Sequence, residues 1–148
     1  RNIGEATEEI HEKKIELSKP AEKELRILED AVREITELTI DAFINNNIAA
    51  AMKIDPLEEV VDDLCDELKA HHVDRISRQE CTFENGFVFN DLLTDYERIS
   101  DHCSNIAVDI IEAGPEGTQA HEYHMNMDYR QDETFQNYYS EYKTKYTV

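Results

Sequence analysis

Residues 20–45 read PAEKELRILEDAVREITELTIDAFIN, and this stretch decides the fold class. Its apolar side chains recur every three or four residues, which is the spacing of one face of an amphipathic helix. The members of this stripe are Leu25, Leu28, Val32, Ile35, Leu38 and Ala42. Pro20 suits the first turn of a helix, because a proline there loses no helical hydrogen bond. The stretch predicts one long bundle helix that continues to about residues 45–51.

Two later stretches show the same helical spacing. The first is expected to open at Asp55, as the capping residue, with Pro56 in its first turn. Its stripe consists of Leu57, Val60, Val61, Leu64, Leu68, His72 and Ile76. After a short loop at residues 78–82, a second stripe follows and stops at Gly114; it consists of Phe89, Leu92, Tyr96, Ile99, Cys103, Ile106, Ala107 and Ile110. Short loops join antiparallel neighbours, so we predict an all-α antiparallel helical bundle.

The two ends of the chain differ from this middle part. Residues 2–17 predict a short amphipathic helix with a thin apolar stripe. Its start echoes residues 105–108, which predicts that this helix ends a preceding repeat. Residues 114–148 are rich in Tyr, His, Asn and Gln and predict a tail, with a short helix near residues 132–146, that docks on the bundle or on a second copy. The predicted divisions are therefore 1–18, 19–113 and 114–148.

Composition limits the partners of this chain. The formal net charge is −19, which is unsuited to nucleic acid and to anionic lipid. The three cysteines have no CxxC spacing, which indicates reduced thiols in a cytosolic setting. No apolar run approaches the roughly 20 residues of a membrane span, so we expect no direct membrane insertion by this segment. Because the first residue is Arg, we expect the segment to come from a longer protein.

Two acidic pairs at helical spacing of four lie beside the core stripes: Glu58 with Asp62, and Glu97 with Asp101. Folding the chain about the centre of the loop brings Glu58 level with Asp101 and Asp62 level with Glu97. The two pairs converge for one hand of the hairpin and diverge for the other, and the sequence does not fix that hand. Converging carboxylates would suit hard cations such as Mg²⁺, Ca²⁺, Mn²⁺ or iron. The alternative is a solvated acidic face, which is common among exposed acids.

Other polar residues predict structure rather than chemistry. His72 and Arg75 lie on the core side, and Arg75 comes level with Glu84, which predicts an ion pair between them. The chain has a single ExxH, at residues 8–11, whereas a di-iron bundle requires two such motifs and two further Glu residues. The HEYH at residues 121–124 lies in the tail. No phosphate-binding loop, zinc signature or catalytic triad is present, so we expect no catalytic residues and no enzyme activity.

Residues 91–107, DLLTDYERISDHCSNIA, resemble the PhoU family. Residues 56–62 resemble the other acidic motif of that family, and residues 72–76 resemble the segment that closes the same helix. More narrowly, the chain resembles the PhoU-like cytoplasmic region at the C-terminus of bacterial sodium/phosphate cotransporter-type membrane proteins. Residues 2–17 resemble the helix that ends the first of two repeats.

The resemblance implies one complete three-helix repeat, preceded by the last helix of another. It implies metal held by pairs of acids four residues apart, and so gives Glu58, Asp62, Glu97 and Asp101 as ligands for iron, zinc or a cation of the Mg, Mn or Ca type. It also implies a non-catalytic role in regulating phosphate transport at the cytoplasmic side of the cell membrane. The implied partners are the transmembrane region of the parent chain and a second copy.

One departure from the family pattern concerns the first repeat. The chain begins after the acidic motif of that repeat, so we expect it to lack the ligands of a second metal cluster. The alternative function is a helical protein-interaction or dimerisation module that binds no metal.

Overall fold

The computed structural model of the chain describes residues 3–5, 8, 16–113 and 132–148. Four helices are bounded within them: α1, Lys19–Asn45; α2, Ile48–Ser77; α3, Phe83–Glu112; and α4, Glu133–Lys145. No strand occurs among the described residues, so the predicted all-α bundle is confirmed. The predicted helix at 2–17 lies mostly outside these residues, although residues 3–5 and 8 are helical. The HEYH at 121–124 and most of the ExxH also lie outside them.

Side-chain caps fix where the first three helices begin. Ser18, Asn47 and Thr82 each accept a hydrogen bond from the backbone N–H three residues later, at 3.3, 3.1 and 3.2 Å. Each cap satisfies one N–H that the first turn of a helix leaves without a partner. The loop at residues 78–82 therefore lies where the sequence placed it, between the end of α2 and the start of α3.

The prediction that a helix opens at Asp55 is wrong. The helix is capped eight residues earlier, because Asn46 adopts the left-handed conformation with φ 48° and Asn47 then caps α2. Pro56 consequently lies inside α2, where its missing N–H removes one helical hydrogen bond. Asp55 is buried rather than placed at a helix end, and its Oδ1 accepts a hydrogen bond of 2.6 Å from Ser104. The Asp-Pro pair resembles a helix start, but the three asparagines at 45–47 make the actual turn.

Helices α1, α2 and α3 pack against one another around a single apolar core. The largest fully buried side chains come from all three of these helices: Leu28, Ile35, Leu57, Leu64, Leu68, Phe89 and Leu93. This core holds the α2–α3 hairpin in a fixed geometry, which decides where its polar side chains meet. None of the helices in the described part of the chain is long and apolar enough to cross a membrane.

Helix α4 packs along α2 and closes one side of the core with Tyr142. Tyr139 donates a hydrogen bond of 2.5 Å to Asp63 of α2, and Nζ of Lys143 lies 3.1 Å from the same carboxylate. Tyr146, just beyond α4, donates a hydrogen bond to Glu34 of α1. The predicted short helix in the tail is therefore confirmed, and it docks on the bundle of its own chain.

Candidate metal centre

Three acidic side chains meet between α2 and α3. Glu58 and Asp62 lie one turn apart on α2, and Asp101 lies opposite them on α3; one carboxylate oxygen from each lies within 4.8 Å of the others. We call these three residues the carboxylate cluster. Oxygens that bind a cation from opposite sides at about 2.4 Å would lie about 4.8 Å apart, so the spacing fits shared ligation. Of the two possible handednesses of the α2–α3 hairpin, the structure has the one that brings these three acids together.

The electrostatics of the carboxylate cluster are unfavourable without a counter-charge. Burial raises the pKa of Glu58 to about 8, and the charges of Asp62 and Asp101 add to this rise. Burial also raises the pKa of Asp62 to about 6, with further contributions from Glu97 and Asp101. Oδ1 of Asp62 is buried and has no hydrogen-bond partner among the described residues. A cation at this point would neutralise the repulsion and supply Asp62 with a partner.

Glu97, the fourth predicted ligand, lies beside the carboxylate cluster but not within it. Its Oε2 lies 2.9 Å from Nζ of Lys69, and this hydrogen bond raises the pKa of the lysine. Lys69 follows Asp62 by seven residues and therefore lies on the same side of α2, a signal that the sequence did contain. The structure thus brings three of the four acids together and gives the fourth a lysine partner. Metal ligation by any of them stays a prediction.

Asp55 contributes negative charge next to the carboxylate cluster. It lies three residues before Glu58 on the same helix, and its charge helps to raise the pKa of Glu58. Sequence reasoning missed it as a member of this acidic region, because the Asp-Pro pair had the form of a cap. A buried carboxylate one turn away increases the attraction of the region for cations.

The prediction that Arg75 pairs with Glu84 is wrong. Nη1 of Arg75 lies 2.9 Å from Glu24 of α1, and Nδ1 of His71 lies 2.8 Å from the other oxygen of Glu24. Pairing residues across the α2–α3 loop predicts how far along the hairpin axis Arg75 lies. It does not predict that the side chain of Arg75 points to α1 rather than to α3. His72 packs against Phe89 with ring centroids 5.1 Å apart, as expected for the core side of α2.

The thiol of Cys65, which lies on the core side of α2, is chemically unreactive. Cys65 and Cys103 are buried, and none of the three cysteines forms a disulfide. Burial, aided by the charge of Glu97, raises the pKa of Cys65 to about 12. Its thiol is therefore protonated at neutral pH, whereas a nucleophilic cysteine must be a thiolate. The arrangement around the carboxylate cluster is suited to binding a cation rather than to covalent chemistry.

The chain matches a known protein family. The sequence model of the PhoU domain matches residues 25–110, which cover most of α1 to α3. The matched segment contains the whole carboxylate cluster and the Lys69–Glu97 ion pair. No curated protein and no solved structure matches the chain.

Proposed function

Because the chain belongs to the PhoU domain family of regulatory, non-catalytic helical domains tied to phosphate transport, we propose that it regulates phosphate transport and binds a metal cation at the carboxylate cluster. The metal-binding part of this proposal rests on the convergence of three carboxylate oxygens within 4.8 Å of one another. The buried, unpartnered Oδ1 of Asp62 supports it, since a buried carboxylate oxygen normally has a hydrogen-bond or ionic partner.

The donor set favours hard cations. Glu58, Asp62 and Asp101 offer only carboxylate oxygens, and such ligands suit Mg²⁺, Ca²⁺, Mn²⁺ or iron. Zinc more often takes nitrogen and sulfur ligands in structural sites. Occupation of the cluster would remove repulsion between α2 and α3 and change the charge on this side of the hairpin. A partner that contacts the hairpin would then sense the cation through charge and rigidity.

The parent protein in this proposal is a sodium/phosphate cotransporter-type membrane protein. The resemblance of residues 2–17 and 91–107 to the cytoplasmic region of such proteins supports it. The domain would lie on the cytoplasmic side of the cell membrane, with the transmembrane region of its own chain as its partner.

Cation binding is tested by isothermal titration calorimetry with Mg²⁺, Ca²⁺, Mn²⁺ and, without oxygen, Fe²⁺. We expect saturable binding by the native sequence and its loss in Asp62→Asn, which removes the central charge of the cluster. Glu67→Gln is the matched control, because Glu67 is an exposed acid on the same helix. Absence of binding for every cation, with no change in thermal stability after treatment with chelator, would reject the metal half.

The regulatory half is tested in cells that express the complete parent protein. We expect Asp62→Asn to change the rate of radiolabelled phosphate uptake at equal protein levels, while Glu67→Gln leaves it unchanged. Equal uptake rates for all three proteins would contradict control through the carboxylate cluster.

The second candidate function is a helical interaction module without metal, and exposed aromatic side chains favour it. Phe43, Phe83 and Phe87 are 72%, 73% and 71% exposed, although large apolar side chains usually avoid water. Self-association through these residues would appear as a mass above that of the monomer in light scattering. Phe83→Ser and Phe43→Ser should then lower that mass, and a monomeric native protein would count against this alternative.

A further inference from the structure

A small cavity lies at the opposite end of the α2–α3 hairpin from the carboxylate cluster. Its volume is about 30 Å³, and side chains from the start of α1, the end of α2 and the start of α3 surround it. Its lining includes Ser18, Ala21, His72, Arg75, Cys81 and Asn85. One water needs about 10–15 Å³ of such space, so the cavity has room for a group of more than one heavy atom.

Two buried nitrogen-bearing side chains line this cavity. Arg75 is 8% exposed and His72 is 7% exposed. Nη2 of Arg75 and Nε2 of His72 are buried and have no hydrogen-bond partner among the described residues. A guanidinium nitrogen can only donate hydrogen bonds, so any group that binds Nη2 of Arg75 must carry acceptor atoms.

Two helix N-termini lie beside these donors. Ser18 caps α1 and Ala21 lies in its first turn, while Asn85 lies in the first turn of α3; all three line the cavity. The N-terminus of a helix carries a partial positive charge and favours an anion. The cavity therefore borders one buried guanidinium donor and two helix N-termini. Because Glu24 balances the charge of Arg75, the unpartnered donor and the helix dipoles, rather than a net positive charge, would hold an anion.

Three acids lie near the cavity. Glu24 balances the charge of Arg75 through Nη1 and also contacts His71, but it leaves Nη2 of Arg75 without a partner. Glu16 and Glu80 also line the cavity, but both are exposed, and water and salt screen exposed charges. They weaken the attraction for an anion without occupying the buried donors.

Gly86 keeps space for the imidazole of His72. A Cβ atom at residue 86 would lie 2.6 Å from Nε2 of His72 and 3.2 Å from Cδ1 of Ile76. The first distance is shorter than carbon and nitrogen atoms can approach, so any larger residue would displace the ring. The glycine therefore leaves room for Nε2 of His72, which faces the backbone of residue 86.

We infer that this cavity, which we call the Arg75 cavity, binds a small oxyanion. An oxygen atom of the anion accepts a hydrogen bond from Nη2 of Arg75, and the imidazole of His72 forms one wall of the cavity. Inorganic phosphate is the probe, and that choice alone rests on the proposed role in phosphate transport. The oxyanion site itself rests on the unpartnered Nη2 of Arg75 and on the two helix N-termini.

Cys81 provides the first test. It lines the Arg75 cavity and is half-buried, whereas Cys65 and Cys103 are buried. We expect N-ethylmaleimide to label Cys81 first, and phosphate to slow this labelling saturably at constant ionic strength. Sulfate should compete with phosphate, while chloride should have no comparable effect. Equal protection by chloride, or no protection together with unchanged ³¹P line widths, would overturn the inference.

A pair of variants tests the location of the site. Cys81→Leu fills the Arg75 cavity without removing a buried donor, and should abolish the ³¹P broadening that phosphate binding causes in the native protein. Cys81→Ser keeps the cavity open and should retain the broadening; equal broadening in both variants would reject this location. Asp62→Asn should lose the cation but keep phosphate, so failure of the metal proposal and failure of this one give different results.

Discussion

Removing one charge from the carboxylate cluster should stabilise the metal-free protein. The pKa of Glu58 rises from 4.5 to about 8 on folding. At about 1.4 kcal/mol per unit, this shift would correspond to about 5 kcal/mol. Glu58 is only half-buried, and solvent screening reduces the figure to roughly 2 kcal/mol. We therefore expect Glu58→Gln to raise the free energy of unfolding by roughly 2 kcal/mol at about pH 9 in the presence of chelator.

The sign of this effect follows from proton binding. The folded protein holds a proton on Glu58 at pH values where the unfolded chain has lost it, so folding becomes less favourable as pH rises from 4.5 to about 8. Asp62 acts in the same direction between 3.8 and about 6. The native protein should lose stability across this range, and Glu58→Gln should lose less. Below about pH 4 both proteins are uncharged at residue 58, and the gain should vanish.

Urea unfolding followed by circular dichroism, at several pH values with chelator, measures the effect. Glu67→Gln is the control, and we expect it to change the free energy of unfolding by less than about 0.5 kcal/mol. A cation at a hundred times its dissociation constant should stabilise the native protein by about 2.7 kcal/mol and Glu58→Gln by less. The reasoning is refuted if Glu58→Gln destabilises the metal-free protein at about pH 9, or if its gain is the same at about pH 4.

Three further substitutions test the packing and the polar contacts of the bundle. Gly86→Ala should cost about 1–3 kcal/mol, measured by urea unfolding, because the added methyl group displaces His72; an unchanged midpoint would show that the ring has room to move. Tyr142→Ala should cost about 3 kcal/mol in the same assay, and a loss below about 1 kcal/mol would mean that α4 adds little to the core. Arg75→Met should lower thermal stability by the equivalent of about 3–5 kcal/mol, since Glu24 keeps only His71. The double variant that adds Glu24→Gln should recover part of that loss, and simple additivity would argue against a coupled pair.

The spacing of apolar residues was sufficient to predict the bundle. Leu28 and Ile35 belong to the stripe in residues 20–45 and are fully buried. The same spacing, folded about the loop, placed Glu58 and Asp101 at one height, and their oxygens do meet. Helical periodicity fixes the rotational position of a residue and its height along the axis, and these two quantities decide most of the core.

Other features depend on information that periodicity lacks. The hand of the hairpin comes from the packing of three helices together, so the convergence of the carboxylate cluster required the structure. The partner of Arg75 lies on α1, and the height of a residue in the α2–α3 hairpin says nothing about that helix. The turn at Asn46 depends on one residue with positive φ, which the spacing of apolar residues does not report; the signal for it lay in the three consecutive asparagines at 45–47.

The docking of α4 has a consequence for synthesis on the ribosome. Tyr142 and Tyr146 belong to the same core as α1 to α3, yet they follow α3 by many residues. A nascent chain emerges N-terminus first, at about 5–20 residues per second, so α1 to α3 can collapse before these tyrosines are available. For that interval the side of α2 that later carries α4 is open to water and to chaperones. Stalled translation before residue 142 should therefore yield an aggregation-prone product, even though the matched domain segment is already complete.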